Sequence, residues 1–315
     1  HNCKGGIADD GVSYPTGDAL SLDVAEQRYT KIFSPKLYGS VTKKLPFVYV
    51  LGNHDGEQGF TTGIETCESD SPTTKAVSEQ ARLAMFQNPA NTYRNGDPLG
   101  RYYKLEAGDA DIFVLDLIGG TAKLPLSADD WSLGSNQLAW FEKEFKKSKA
   151  MWKFVFAEHL VGGESGPTET CYYYGRGSIK ATDTDKIDGT LKGEQAVLQT
   201  IMKDFTTPSG ATIFASGHDH LALGPNEVPG SRVFYVTGGT FAGGAPWTID
   251  QSFQKEMDID GNGQADYYSN TNGSVERGYF RITVAGKESV TFDYVQATDS
   301  LANGTVLYSK TISAE

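Results

Sequence analysis

The sequence predicts an α/β fold: two β-sheets packed as a sandwich and flanked by helices, with a strand-rich C-terminal end. Three observations predict it. Short apolar runs alternate with segments of helical period as far as residue 239. Strand-like runs alone fill the chain after residue 276. Three of the apolar runs end in polar clusters, the pattern expected where the strands of an α/β sheet deliver side chains to a ligand.

The elements follow in order. "LDVAEQRYTKIF" (22–33) has helical spacing, and "PFVYVLG" (46–52) is a short apolar strand running into Gly. "TTKAVSEQARLAMF" (73–86) reads as a helix. "GRYYKLEAGDADIFVLDLI" (100–118) reads as a hairpin turning at "EAGDAD". "GSNQLAWFEKEFKKSKA" (134–150) reads as a helix with Ser135 as its cap, apolar residues at 138, 141 and 145, and lysines in its last turns. "WKFVFAEH" (152–159) is a buried strand and "GEQAVLQTIMKDF" (193–205) a helix. "ATIFASGHDH" (211–220) and "SRVFYVTGG" (231–239) are strands, followed by "RGYFRITVAG", "SVTFDYVQA" and "GTVLYSKTI".

The bulk composition narrows the function. A chain of 315 residues with 22% charged and 11% aromatic residues suits one globular domain spanning 1–315. A net charge of −12 and a pI near 4.9 exclude a basic face for nucleic acid or anionic lipid. No apolar run approaches the roughly 20 residues of a membrane span. The chain opens at His1 without Met, as expected of a processed or partial form. Of three cysteines, Cys67 follows the His54 segment by a short loop and Cys171 follows His159 at a similar distance. Convergence of those segments would let this pair form a disulfide, leaving Cys3 over. Sequons at Asn272 and Asn303, the acidic pI and the disulfide together point to an extracytoplasmic, glycosylated protein.

The polar clusters carry the chemistry. Val48–Leu51 runs into Gly52-Asn53-His54-Asp55, Phe154–Ala157 into Glu158-His159, and Ile213–Ser216 into Gly217-His218-Asp219-His220. Four of the five histidines sit at these three strand ends. Any one alone is more simply a loop histidine; four at one sheet edge suit a divalent metal of intermediate softness.

"GNHD" followed by "GHDH", each on a strand end with a His-bearing end between, resembles the calcineurin-like metallophosphoesterases. The stretch leading into "GNHD", and "YVTGGTFAGG" after "GHDH", resemble their purple-acid-phosphatase-like branch. The resemblance covers most of the chain. It implies hydrolysis of a phosphate ester at a site of two divalent or trivalent transition metals (Fe, Zn or Mn). Asn53 and His218 would bind one metal and His220 the other, while His54, oriented by Asp55, stabilises or protonates the leaving oxygen. Two cations clamp the phosphate and activate a bridging water.

The family pattern opens with Asp-x-His and Gly-Asp strands, and neither precedes residue 52 here. "NCKGGIADDGVSYP" resembles the segment directly after the bridging Asp, so His1 falls at or beside that position and Lys4 replaces an iron-binding Tyr. Two expectations stand. Either upstream strands complete the site, or the chain is a degenerate member of the fold serving as an extracellular structural or assembly subunit that associates with itself. At "FAEHL" the family's His-x-Pro step has Leu160 for Pro, which leaves the ligand slot open between Glu158 and His159.

"DIDGNGQAD" places Asp258, Asp260, Asn262 and Asp266 at alternating positions around Gly263, the first part of a calcium loop. A solvated acidic turn is its bland reading. Arg176, in "CYYYGRGS", is a candidate phosphate contact, with a surface aromatic loop as the equal alternative.

Overall fold

The computed structural model describes residues 44–51, 100–116, 132–158, 193–217, 222–228, 230–238, 278–296 and 304–315. Gly6–Ile7, Ser13–Tyr14 and a few single positions before residue 44 and at 80 are also described. Strands β1 (Gly6–Ile7) and β2 (Ser13–Tyr14) form a small antiparallel pair. Five strands follow as β3 (Tyr103–Ala107), β4 (Ala110–Val114), β5 (Trp152–Phe156), β6 (Ala211–Ser216) and β7 (Ala222–Val228). Strand β8 (Val233–Gly238) completes a six-stranded sheet of order β3-β4-β5-β6-β8-β7. Helices α1 (Ser135–Lys147) and α2 (Gly193–Phe205) lie in the β4–β5 and β5–β6 connections. Strands β9 (Gly278–Ala285), β10 (Ser289–Gln296) and β11 (Val306–Ser313) form an antiparallel sheet of order β11-β10-β9.

Strands β4, β5, β6 and β8 are parallel. Their sequences read as nearly continuous apolar runs because both faces of the sheet are covered. Along them side chains alternate between two cores. Phe113, Leu115, Val155, Ala157, Phe214 and Tyr235 meet Phe141 and Phe145 of α1 and Leu198, Ile201 and Met202 of α2. Ala110, Trp152, Phe154, Ala211, Ile213, Phe234 and Val236 meet Val290, Phe292 and Ile312 of the second sheet. Full burial of each large apolar side chain is worth about 2–3 kcal/mol, so the two cores hold the layers in place. Helix on sheet on sheet is thus the observed layering.

The second sheet's other face is polar. Arg281 Nη2 donates to Asp293 Oδ2 at 2.8 Å and Ser309 Oγ to Asp293 Oδ1 at 2.7 Å. The Ser309 hydrogen bond, with Arg281, holds the Asp293 carboxyl below its usual range. Thr291 and Thr311 hydroxyls pair alongside.

Local differences from the sequence-level reading have physical causes. The β3–β4 hairpin turns on Gly108-Asp109 alone, since Gly108 supplies φ 63°. Glu106 and Asp111, expected in the turn, are paired strand residues instead. Helix α1 is capped by Gly134, whose φ of 74° fits no side chain easily, and Ser135 is its first helical residue rather than the cap. Strand β7 was not foreseen because Gly224-Pro225 interrupts it. It is an edge strand with a register shift there, where the N–H that Pro lacks is not needed. Pro46–Leu51 forms no regular element, yet Leu51 is buried and Tyr49 packs beside it in the helix-side core. Of the helices expected at 22–33 and 73–86, only Asp23, Glu26, Gln27, Thr30 and Gln80 are described, and these are helical.

One buried cation ties the helices to the sheet. Lys153 of β5 is only 1% exposed. Its ammonium donates to the carbonyl of Phe145 at 3.3 Å and to that of Phe205, in the last turns of α1 and α2, and lies 4.5 Å from the Phe145 ring centroid. Both carbonyl ends carry the negative pole of a helix dipole. Burial still dominates and pushes the Lys153 pKa down to about 8, against the attraction of Asp111. Asp111 also accepts from Ser148 Oγ at 2.5 Å and pairs with Lys104 at 2.8 Å. Burial opposes the Lys104 charge, but its hydrogen bonds to Asp111 and Glu106 win and raise its pKa.

Two predictions follow from this frame. Between pH 8 and 10.5 unfolded Lys153 stays protonated while folded Lys153 has lost its proton. The unfolded state then binds more protons, so stability rises with pH, by up to about 3 kcal/mol. The neutral amine keeps donors for both carbonyls. Lys104, with its pKa raised, contributes a loss only above this window. Urea unfolding should show wild type gaining stability relative to Lys153→Met from pH 8 to 10; a flat difference would refute the assignment. At Gly210 an added Cβ would lie 1.8 Å from the Met151 carbonyl oxygen. Gly210→Ala should therefore cost on the order of 2 kcal/mol by overpacking, read as a lowered urea midpoint.

Candidate active site

Parallel pairing sends four strand ends to one edge of the sheet. Val114 is level with Phe156, Phe156 with Ala215, and Ser216 with Thr237. The ladder continues past the strands: Leu115 N–H donates to Phe156 O at 2.8 Å, Ala157 N–H to Ala215 O at 3.1 Å, and Gly217 N–H to Glu158 O at 3.0 Å. Asp116, Glu158 and Gly217 therefore lie close to the same level.

A cavity of about 440 Å³ opens at this edge between the two sheets. Its floor is apolar, from Phe156, Val236, Phe280 and Ile282, and its rim includes Val50, Glu158, Gly217 and Gly238. Val50 comes from the segment that leads into "GNHD", and Gly217 is followed by His218. Glu158 is the one carboxylate lining the cavity among the described residues.

Of the residues singled out from sequence, only Glu158 is described. Asn53, His54, Asp55, His159, His218, His220, Arg176, Cys67, Cys171, Asp258, Asp260, Asn262, Asp266, Asn272 and Asn303 lie outside the described residues. Among the described residues no group of three His, Cys, Asp or Glu is placed to hold a metal ion.

The structure adds two residues that the sequence reading passed over. Asp116 ends the β4 run and is 1% exposed. Gln137 of α1, 3% exposed, clamps its backbone: Asp116 N–H donates to Gln137 Oε1 at 2.8 Å, and Gln137 Nε2 donates to Asp116 O at 2.6 Å and Leu133 O at 2.9 Å. The signal was available in "IFVLDLI", an apolar run broken by an acid, as "FVFAEH" is. Nearby, Glu194 in the first turn of α2 accepts from Leu133 N–H at 2.8 Å and Ser132 Oγ at 2.9 Å, joining the starts of both helices.

Comparison with known proteins bears on this site. A family model described as PhoD-like phosphatase matches residues 9–224. A solved structure described as "Structure of PhoD" superposes with a TM-score of 0.61 at 15% identity, over 96% of this chain and 58% of that one. A purple acid phosphatase, PPD1 from yellow lupin (Lupinus luteus) seeds, superposes with a TM-score of 0.49 at 16% identity, over 99% of this chain and 52% of that one. This chain thus spans little more than half the length of those two structures, and at such identity the first likeness speaks for the fold alone. No curated protein matches the sequence.

Proposed function

The chain belongs to the PhoD-like phosphatase family and has a metallophosphoesterase-type fold, and on that premise we propose that it hydrolyses phosphate esters at the edge where β5 and β6 end. The observation that carries the reading is the shared cavity. Val50, Glu158 and Gly217 stand in, or within two residues of, the three sequence clusters that hold four histidines, and all three line it.

The donor set suits two transition metals, Fe, Zn or Mn. Asn53 and His218 would hold one and His220 the other, with Glu158 or His159 in the remaining slot. Glu158 is the better fit, because its carboxylate is a hard oxygen donor at the cavity wall. Bound metals would neutralise phosphate oxygens and supply a nucleophile at neutral pH. In this scheme His54 holds a proton over the leaving oxygen, Asp55 fixes its ring, and Arg176 contacts the phosphate. The apolar floor of the cavity keeps bulk water from the phosphorus.

The same reading makes residues 1–315 one domain, a two-sheet sandwich flanked by helices, working outside the cytoplasm. There calcium at Asp258, Asp260, Asn262 and Asp266, a Cys67–Cys171 disulfide and glycans at Asn272 and Asn303 are chemically reasonable. Among the described residues no helix is long and apolar enough to cross a membrane.

The full-length polypeptide should hydrolyse p-nitrophenyl phosphate with added Mn, Zn or Fe and lose activity to a chelator. His54→Ala should lower kcat by roughly 10²–10⁴-fold. Absence of turnover with every metal would sink the proposal and favour an assembly subunit. Glu158→Gln should weaken manganese binding by at least roughly tenfold in calorimetry, and unchanged affinity would move the ligand role to His159.

A further inference from the structure

Building on the phosphoesterase reading, we infer that Gln137 is a positioning residue for the reaction, acting through Asp116. Strand β3 stops pairing with β4 at Tyr103, opposite Val114. Leu115 points its N–H to β5, so Asp116 turns its N–H and C=O toward the side β3 has left. The Gln137 amide meets both groups, as a further residue of β3 would. A side chain of α1 thereby carries β4 one step further toward the edge.

That step sets a buried carboxylate level with Glu158 on the neighbouring strand, outside the cavity lining itself. Asp116 and Glu158 each stand two residues beyond the level pair Val114 and Phe156. By the alternation of their strands both fall on the face of the second sheet, where Phe156 and Glu158 line the cavity. Asp116 is nearly inaccessible, and Gln137 holds its backbone from both the N–H and the carbonyl. Gln137 is itself fixed by Leu133 O, next to the Ser132–Glu194 link between the helix starts. Gln137 is a buried amide in the first turn of α1 whose side chain bonds the Asp116 N–H, the Asp116 carbonyl and the Leu133 carbonyl.

The test is a double-mutant cycle in the full-length, manganese-loaded polypeptide with p-nitrophenyl phosphate. Gln137→Leu and Asp116→Asn should each lower kcat roughly tenfold or more with KM little changed, since positioning is felt in the transition state. The double variant should be no slower than Asp116→Asn. Leu138→Ala, on the same helix and packed in the same core, should lose stability in urea yet keep kcat. If Gln137→Leu does not fold, the isosteric Gln137→Glu removes the same donor. Additive losses, an unchanged kcat in the Gln137 variant, or an equal fall in Leu138→Ala would overturn this inference while leaving the phosphoesterase reading standing. A wild type without turnover would overturn both.

Discussion

Parallel strands can only be joined by chain that returns from one edge of the sheet to the other, and this constraint shapes the whole molecule. Strands β4, β5, β6 and β8 run the same way. Their starts must be refilled by tight, returning backbone, and their ends open into long connections. The starting edge is stitched throughout. Trp152 N–H donates to Asp109 O, Ala211 N–H to Met151 O, and Thr212 N–H to Arg232 O. Arg232, held at φ 57°, reaches from Gly210 O at 3.0 Å to Ser313 O at 2.6 Å, and Glu315 N–H closes on Ser209 O. The chain end and three strand starts thus form one hydrogen-bonded rim. At the opposite edge, side chains such as Gln137 and Glu194 do the fastening. Rigidity at one end and side-chain control at the other is the usual division between stability and chemistry in such sheets.

Lys153 belongs to the stitched end, and its cost illustrates how the frame is held. An ammonium sealed between two helix termini is disfavoured by burial and favoured by two carbonyls and a ring face. An apolar residue there would bury more cheaply but would leave the Phe145 and Phe205 carbonyls without that donor. The charge therefore acts as a pin that fixes where α1 and α2 end relative to β5. With the helix ends fixed, the starts of both helices are fixed too, and with them Gln137 and Glu194 at the opposite edge.

Much of this architecture was legible in the residues. Helix α2 falls at the expected 193–205, and the three C-terminal strands fall where their period-2 patterns lie. Several misses share one cause: pattern reading does not foresee buried polar side chains, and takes Gly-Pro as a break. "WKFVF" hides a buried Lys153, "GSNQLAWF" a buried Gln137, and "IFVLD" a buried Asp116. Lys153 donates to two carbonyls, and Gln137 bonds the backbone of Asp116, partners that no local pattern encodes. Strand β7 escaped notice because an edge strand tolerates what a central strand does not. The histidine clusters were legible because residue type and strand-end position coincide. Their mutual geometry is a tertiary property that sequence spacing does not contain.

The choice between Glu158 and His159 shows how far strand geometry extends beyond pattern. In a pleated strand a shift of one residue moves a side chain to the other face. Phe154 packs toward the second sheet, Val155 and Ala157 belong to the helix-side core, and Phe156 and Glu158 line the cavity. The Glu158 carbonyl still accepts from Gly217, so regular pairing persists through this residue. At this edge the cavity also takes in Ala157, so Phe156, Ala157 and Glu158 all contribute to its wall. The described geometry thus puts Glu158, the last described residue of this strand end, on the cavity wall.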